Sequence, residues 1–76
     1  MARNKSIPED LKAYRTKEGM IQAPFWNRFG VSQSGGSRYE SGRDMPEPVK
    51  MLFWLRLNER ITDVDLKDAL KAIKTA

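Results

Sequence analysis

Apolar residues recur at helical spacing along the chain and predict five short helices. In the first, Ile7, Leu11 and Tyr14 follow an i, i+4, i+7 pattern that places them on one helical face. A Ser-Ile-Pro-Glu capping box predicts that this helix begins at Ser6, and Gly19 is a natural C-terminal cap.

A glycine turn is predicted to join the second and third helices. The second helix is expected to cover residues 22–29 and to end at Gly30. Its start is imperfect, because Ile21 stands where a Ser, Thr or Asp cap is preferred, at a cost of roughly 1 kcal/mol. Ser32 is a good N-cap for the third helix, which is expected to stop near Gly42.

The last two helices differ in how their apolar residues are distributed. The fourth, over residues 46–57, is apolar nearly all round and therefore has to be covered on more than one side. The fifth begins with a capping box at Thr62 and carries a single apolar stripe of Leu66, Leu70 and Ile73. That stripe is expected to cover the fourth helix or to contact another subunit.

Composition excludes several classes of protein. A chain of 76 residues supplies only a small core, so we expect a partner subunit to help stabilise it. The absence of cysteine and histidine excludes a zinc module, a redox protein and a triad hydrolase, and we expect no enzymatic activity, metal or cofactor. The longest fully apolar run, residues 51–55, is too short to span a membrane and no signal peptide is recognisable, which favours a cytoplasmic protein.

Positive charge is concentrated in the N-terminal half. Residues 1–43 hold eight Lys or Arg against four acidic residues, whereas residues 44–76 hold six of each. One basic face suggests a polyanionic partner, with nucleic acid as the first candidate. A mildly basic solvated surface is the other interpretation of the same pattern.

Two strings in the middle of the chain are typical of one family of DNA-binding proteins. These are Gly-Val-Ser-Gln-Ser from Gly30 and Ser-Arg-Tyr-Glu-x-Gly-Arg from Ser37, preceded by Leu11-x-x-x-Arg15-x-x-x-Gly19. Together they resemble the Cro and phage-repressor type (XRE-like) of helix-turn-helix domain over about residues 11–57. The resemblance implies an all-α, compact five-helix lambda-repressor-like DNA-binding domain.

The domain organisation follows from this resemblance. We expect a single domain over residues 1–76, with the helix-turn-helix unit at about 22–41. Residues 1–5 are expected to form a flexible basic arm, which is able to reach a neighbouring groove or the DNA backbone.

The sequence departs from the family pattern at two positions that pack together in relatives. A small residue is usual where Trp26 stands, and a branched apolar residue is usual where Gly36 stands. We infer that Trp26 fills the volume vacated at Gly36, a volume-conserving swap. The alternative is that Trp26 points outward and leaves the third helix loosely packed. Gly35 is interpreted as allowing close approach of the backbone to DNA.

The resemblance also assigns roles to individual side chains of the helix-turn-helix unit. The expected base-contacting residues are Gln33, Ser34, Arg38 and Ser37. The expected phosphate-contacting residues are Gln22, Arg43, Arg28 and Ser41. Arg15 and Glu40 are expected to form a structural salt bridge. Without the resemblance, Gln33, Ser34 and Arg38 would be interpreted as a solvated helix face.

The expected function is that of a sequence-specific double-stranded DNA-binding transcriptional regulator, a repressor acting as a homodimer. Its partners would be operator DNA and a second copy, with no membrane and no small-molecule ligand. Trp54 is expected either under the fifth helix or on the dimer surface. The alternative function is that of an antitoxin-like or adaptor protein whose apolar C-terminal half binds a protein partner.

Overall fold

The computed structural model describes residues 4–74, and every regular element among them is helical. The bounds of the helices are α1 Leu11–Lys17, α2 Gln22–Asn27, α3 Gln33–Glu40, α4 Glu47–Leu57 and α5 Asp63–Lys74. The all-α fold expected from the sequence is thus confirmed. None of the helices between residues 4 and 74 has the length and hydropathy needed to span a bilayer.

Helix α1 begins later than the sequence pattern predicts. Its N-cap is Asp10, whose Oδ1 accepts a hydrogen bond from the backbone N–H of Ala13 at 2.9 Å, so the predicted start at Ser6 is wrong. The reason is Pro8, because a proline disfavours helical geometry in the residue before it and holds Ile7 outside the helix. The helix ends at Lys17, and Gly19, in the turn that follows, adopts a positive φ of 74°.

The turn between α2 and α3 depends on one glycine and one serine cap. Helix α2 ends at Asn27, two residues before the predicted end, and Gly30 has a φ of 74° in the connecting turn. Ile21 forms no side-chain cap, as its apolar side chain predicts. The N-cap of α3 is confirmed, since the hydroxyl of Ser32 accepts a hydrogen bond from the N–H of Gly35 at 3.1 Å.

Helix α5 begins at the predicted capping box. The Thr62 hydroxyl accepts a hydrogen bond from the Asp65 N–H at 3.2 Å, and the Asp65 carboxylate accepts one from the Thr62 N–H at 2.8 Å. Only part of the predicted apolar stripe is covered, because Leu66 is buried while Ile73 is 72% exposed.

Helix α4 is covered on one side and open on the other. Phe53 and Leu57 are buried in the core, whereas Met51 is 59% exposed. The expectation that α4 is covered on more than one side is therefore wrong for the side that carries Met51. Its open side borders an apolar groove of about 420 Å³ whose lining includes Ile7, Met51, half-buried Trp54 and Leu55. Trp54 lines this groove, and the Arg60 guanidinium lies 5.6 Å from the centre of its ring.

The core is built from aromatic rings contributed by α2 and α4. Phe25, Trp26 and Phe53 are fully buried and lie in mutual ring contact. Phe29 stacks on Phe53 with ring centres 5.4 Å apart. The remaining buried apolar residues of the described chain are Leu11, Val31, Met45, Leu57 and Leu66.

The predicted pairing of Trp26 with Gly36 is confirmed. Trp26 is 0% exposed, and a Cβ atom added at Gly36 would lie 2.8 Å from its Nε1 and closer still to Cδ1 and Cγ. A Cβ added at Gly35 would lie 3.0 Å from a methyl group of Val31, so a side chain there would require Val31 to shift by a few tenths of an ångström. Helix α3 can therefore approach α2 closely only because Gly36 lacks a side chain.

Part of the predicted N-terminal arm is bound to the end of α4. The Lys5 carbonyl accepts a hydrogen bond from the Asn58 amide at 3.0 Å, and Asn4 accepts one from Arg60 at 3.0 Å. Residues 1–3, which complete the predicted flexible arm, lie outside the described residues.

Overpacking at Gly36 is expected to destabilise the protein through Trp26. We predict that Gly36→Val lowers the free energy of unfolding by about 1–3 kcal/mol or more, measured by urea denaturation, because the new methyl groups overlap the indole ring. In a Trp26→Ala background, Gly36→Val is expected to leave the free energy of unfolding unchanged or to raise it, because valine then fills the space that the indole ring vacated.

The matched control is Ser37→Val, which places the same side chain at an exposed neighbouring position of α3. It is expected to change stability by only about 0.5 kcal/mol. Additive effects of the Gly36 and Trp26 substitutions would contradict the proposed contact.

Candidate nucleic-acid interface

The start of α2 and the exposed side of α3 place five polar side chains around one surface depression. Its volume is about 420 Å³, and its lining residues are Gln22, Gln33, Ser34, Ser37 and Arg38. All four predicted base-contacting residues belong to this set, together with one predicted phosphate-contacting residue. They meet because α2 and α3 pack directly on one another at Trp26 and Gly36.

Two further depressions adjoin the first. Ser37, Arg38, Ser41 and Arg43 line one of about 430 Å³, which extends the surface past the C-terminal end of α3. The other, of about 370 Å³, extends it toward α1 and is lined by Lys12, Arg15, Gln22, Ser37, Glu40 and Ser41. The predicted phosphate-contacting residues Ser41 and Arg43 thus lie beside the predicted base-contacting face.

Lys12 joins this surface although the sequence analysis did not single it out. Its side chain is exposed on α1 and lines the same depression as Gln22 and Ser41. The available signal was its position three residues before Arg15, which places both on neighbouring turns of one helix.

Arg28 is not brought to this surface. Its guanidinium forms an ion pair with Asp63 at 2.9 Å and lies 4.7 Å from the centre of the Phe25 ring. It also donates a hydrogen bond from Nε to the Phe25 carbonyl at 3.1 Å. These contacts tie α2 to the start of α5, and they leave the Arg28 side chain only 13% exposed.

We call the surface formed by these three depressions the polar face, and it carries uncompensated positive charge. Lys12, Arg38 and Arg43 are exposed, and among the described residues 4–74 none of the three has an ion-pair partner. The charge of Arg15, by contrast, is balanced by Glu40. The face therefore presents three free cations around the side chains of α3.

Glu40 is the meeting point of the three elements that carry this face. Its carboxylate accepts two hydrogen bonds from Arg15 of α1, at 2.8 and 3.1 Å. It accepts one from Trp26 Nε1 at 2.6 Å and one from the Gln22 amide at 3.2 Å, both from α2. The Arg15 guanidinium also donates to the carbonyl of Met20 at 2.9 Å.

This buried carboxylate is held in its ionised form. The side chains of Arg15 and Glu40 are only 12% and 5% exposed. Burial by itself would raise the pKa of Glu40, but hydrogen bonds from Arg15 and Trp26, the charge of Arg15 and the Gln22 amide together outweigh burial and lower it. The contacts place the ion pair between α1 and α3, where it joins the two helices.

The lowered pKa of Glu40 predicts a specific loss of stability in acid. The group is ionised more readily in the folded than in the unfolded chain, so it stabilises the fold above its unfolded pKa of about 4.5. That contribution is lost as the pH falls through the lower pKa of the folded state. At neutral pH, Glu40→Gln is expected to cost about 3 kcal/mol in urea denaturation, because Arg15 loses its partner.

The difference between wild type and Glu40→Gln is the quantity to follow with pH. It is expected to shrink as the pH falls below about 4.5. Asp63→Asn serves as a control for a second carboxylate, whose pKa is lowered chiefly by a hydrogen bond from Arg56. A difference between wild type and Glu40→Gln that stays constant into acid would contradict the stabilising role of the ionised carboxylate.

Comparison with known families identifies the class of the domain. The sequence profile of the RsaL-like HTH domain matches residues 12–56, which is more than half of the chain and includes every helix that contributes to the polar face. The curated proteins and solved structures compared with the chain contain no match. The match supports a helix-turn-helix DNA-binding domain without assigning it to the Cro and phage-repressor type. The chain belongs to the RsaL-like HTH domain family.

Proposed function

We propose that this protein is a sequence-specific double-stranded DNA-binding regulator that represses transcription as a homodimer. Helix α3 enters the major groove in the manner of the Cro and phage-repressor type, and the bound dimer blocks access to a promoter. The observation that carries the proposal is the single continuous face on which seven of the eight predicted DNA-contacting side chains lie.

Base reading is assigned to the exposed side of α3. The Gln33 amide offers both a donor and an acceptor, which is what the N7 and N6 atoms of adenine require. Arg38 carries parallel donors that suit the O6 and N7 acceptors of guanine. Ser34 and Ser37 line the same depression, and their hydroxyl groups discriminate less between bases than the Gln33 amide and the Arg38 guanidinium.

Phosphate contacts are assigned to the borders of the same face. Gln22 lies on one side of the α3 side chains, and Ser41 and Arg43 lie beyond the end of the helix. Such contacts set the register of the protein on the duplex without reading sequence. Lys12 is an additional candidate, because its free charge lies next to Gln22.

Loss of Arg38 is expected to weaken binding in a sequence-selective way. We predict that Arg38→Ala costs about 1–3 kcal/mol at the cognate site and relaxes the preference at one base pair. Competition binding with duplexes that differ at single base pairs measures both effects. An unchanged preference at every base pair would remove Arg38 from the base-reading set.

The matched control is Arg43→Ala, which removes the same functional group from the neighbouring loop. It is expected to weaken binding to about the same degree on all sequences and to reduce the salt dependence of binding by about one counterion. A sequence-selective loss in this variant would overturn the phosphate assignment.

The apolar groove on α4 favours a second candidate function. Its lining includes Met51, which is 59% exposed, and apolar surface of this kind suits a protein contact. In the proposed regulator that contact is made by a second copy. In the alternative, an antitoxin-like or adaptor protein uses it to bind a different protein, and DNA binding serves only autoregulation.

Sedimentation equilibrium distinguishes these two functions. The proposed repressor is expected to be a dimer at high protein concentration and to bind a palindromic duplex with two copies. A chain that remains monomeric at all concentrations, alone and on DNA, would contradict the homodimer and favour the partner-binding alternative.

A further inference from the structure

A chain of hydrogen bonds leads from the buried ion pair to the base-reading face. The Gln22 Nε2 donates to Glu40 Oε1 at 3.2 Å, and the Gln33 Nε2 donates to Gln22 Oε1 at 3.4 Å. The second contact is long for a hydrogen bond, and it joins two amides that both border the same depression. Each link runs in the same direction, with nitrogen donating toward Glu40.

The ionised carboxylate dictates this direction. A carboxylate can only accept hydrogen bonds, so Gln22 has to turn its NH₂ group toward Glu40 and its oxygen away. That oxygen can in turn only accept, so it receives the NH₂ group of Gln33. An exposed glutamine without such a neighbour turns its amide either way at little cost, whereas Gln33 is held in one orientation.

The fixed orientation leaves Gln33 with a defined pair of free groups. Its Oε1 accepts no hydrogen bond within residues 4–74, and its Nε2 retains a second N–H. An acceptor beside a donor matches adenine, whose major-groove edge offers the N6 donor beside the N7 acceptor. Guanine, with two acceptors at this edge, would leave the Gln33 oxygen unpaired.

We propose that Glu40 is a positioning residue which, through Gln22, orients the Gln33 amide to read adenine. This inference rests on the proposed function, because it assumes that Gln33 meets a base. It adds a second role for Glu40 beside its structural ion pair with Arg15. The carboxylate itself does not touch DNA.

The test compares relative affinities for four duplexes that differ only at the base pair read by Gln33. That pair is identified as the one at which Gln33→Ala loses its preference. Wild type is expected to favour adenine there by about tenfold or more, as a bidentate contact does. Glu40→Gln is expected to reduce this preference to about threefold or less, because an amide in that position can donate as well as accept.

Two further variants separate positioning from support of the fold. Trp26→Phe removes one donor to Glu40 but leaves the carboxylate and the amide chain in place, so the adenine preference is expected to stay while stability falls. Gln22→Met breaks the chain in the middle and leaves the contacts of Arg15 and Trp26 with Glu40 intact. It is expected to lose the same preference at the same base pair, and retained preference in this variant would overturn the proposal even if Glu40→Gln does not fold.

Ratios between duplexes cancel any uniform loss of affinity, and Trp26→Phe controls for loss of stability without loss of the amide chain. Retained adenine preference in Glu40→Gln and Gln22→Met, with loss in Gln33→Ala, would overturn the positioning role and leave the proposed function standing. A wild-type preference for a base other than adenine at this pair would also overturn it. If Gln33→Ala changes the preference at no base pair, base reading by Gln33 fails and the positioning role fails with it.

Discussion

The contact between Trp26 and Gly36 sets the distance between the two helices of the helix-turn-helix unit. The indole ring is fully buried, and the space it occupies is the space that any side chain at Gly36 would need. The same ring donates its N–H to Glu40, so the residue that packs α2 on α3 also anchors the carboxylate that holds α1. Apolar packing and a buried polar network thus converge on one side chain.

This arrangement gives the polar face a rigid support. Glu40 ends α3, and its four hydrogen bonds come from α1 and α2, so the three helices cannot shift independently without breaking bonds to a buried charge. Apart from Gln22, which donates to Glu40, the side chains proposed to meet DNA lie outside these four hydrogen bonds. Within residues 4–74, the free positive charge of the polar face lies on Lys12, Arg38 and Arg43, because Arg15 is neutralised within the network.

The sequence predicted the elements whose signals are local. The Ser32 cap, the Thr62 capping box and the exchange of volume between Trp26 and Gly36 depend on residues close in sequence or on a recognised family spacing. The start of α1 was missed because two caps compete there, and the restriction that Pro8 places on its predecessor favours Asp10. Both Ser6 and Asp10 can be identified as caps from the sequence, but the helix begins after Asp10.

Long-range contacts could not be predicted in the same way. Arg28 has the charge expected of a phosphate contact, yet it pairs with Asp63, which lies 35 residues away. Lys12 joins the polar face only because α1 packs beside α3, and Asn58 binds the N-terminal segment across 53 residues. Such pairings follow from the packing of complete helices, which neither spacing nor composition specifies.

Selection of bound sequences from a pool of random duplexes tests the central claim most directly, with the Gln33→Ala/Arg38→Ala double variant as the control. Sequence-specific recognition by α3 in a dimer predicts a palindromic motif with half-sites about one helical turn, roughly 34 Å, apart, which the double variant no longer selects. If no motif emerges and binding only fades with increasing salt, the polar face is a nonspecific anchor for nucleic acid, and the proposed role as a sequence-specific regulator is contradicted.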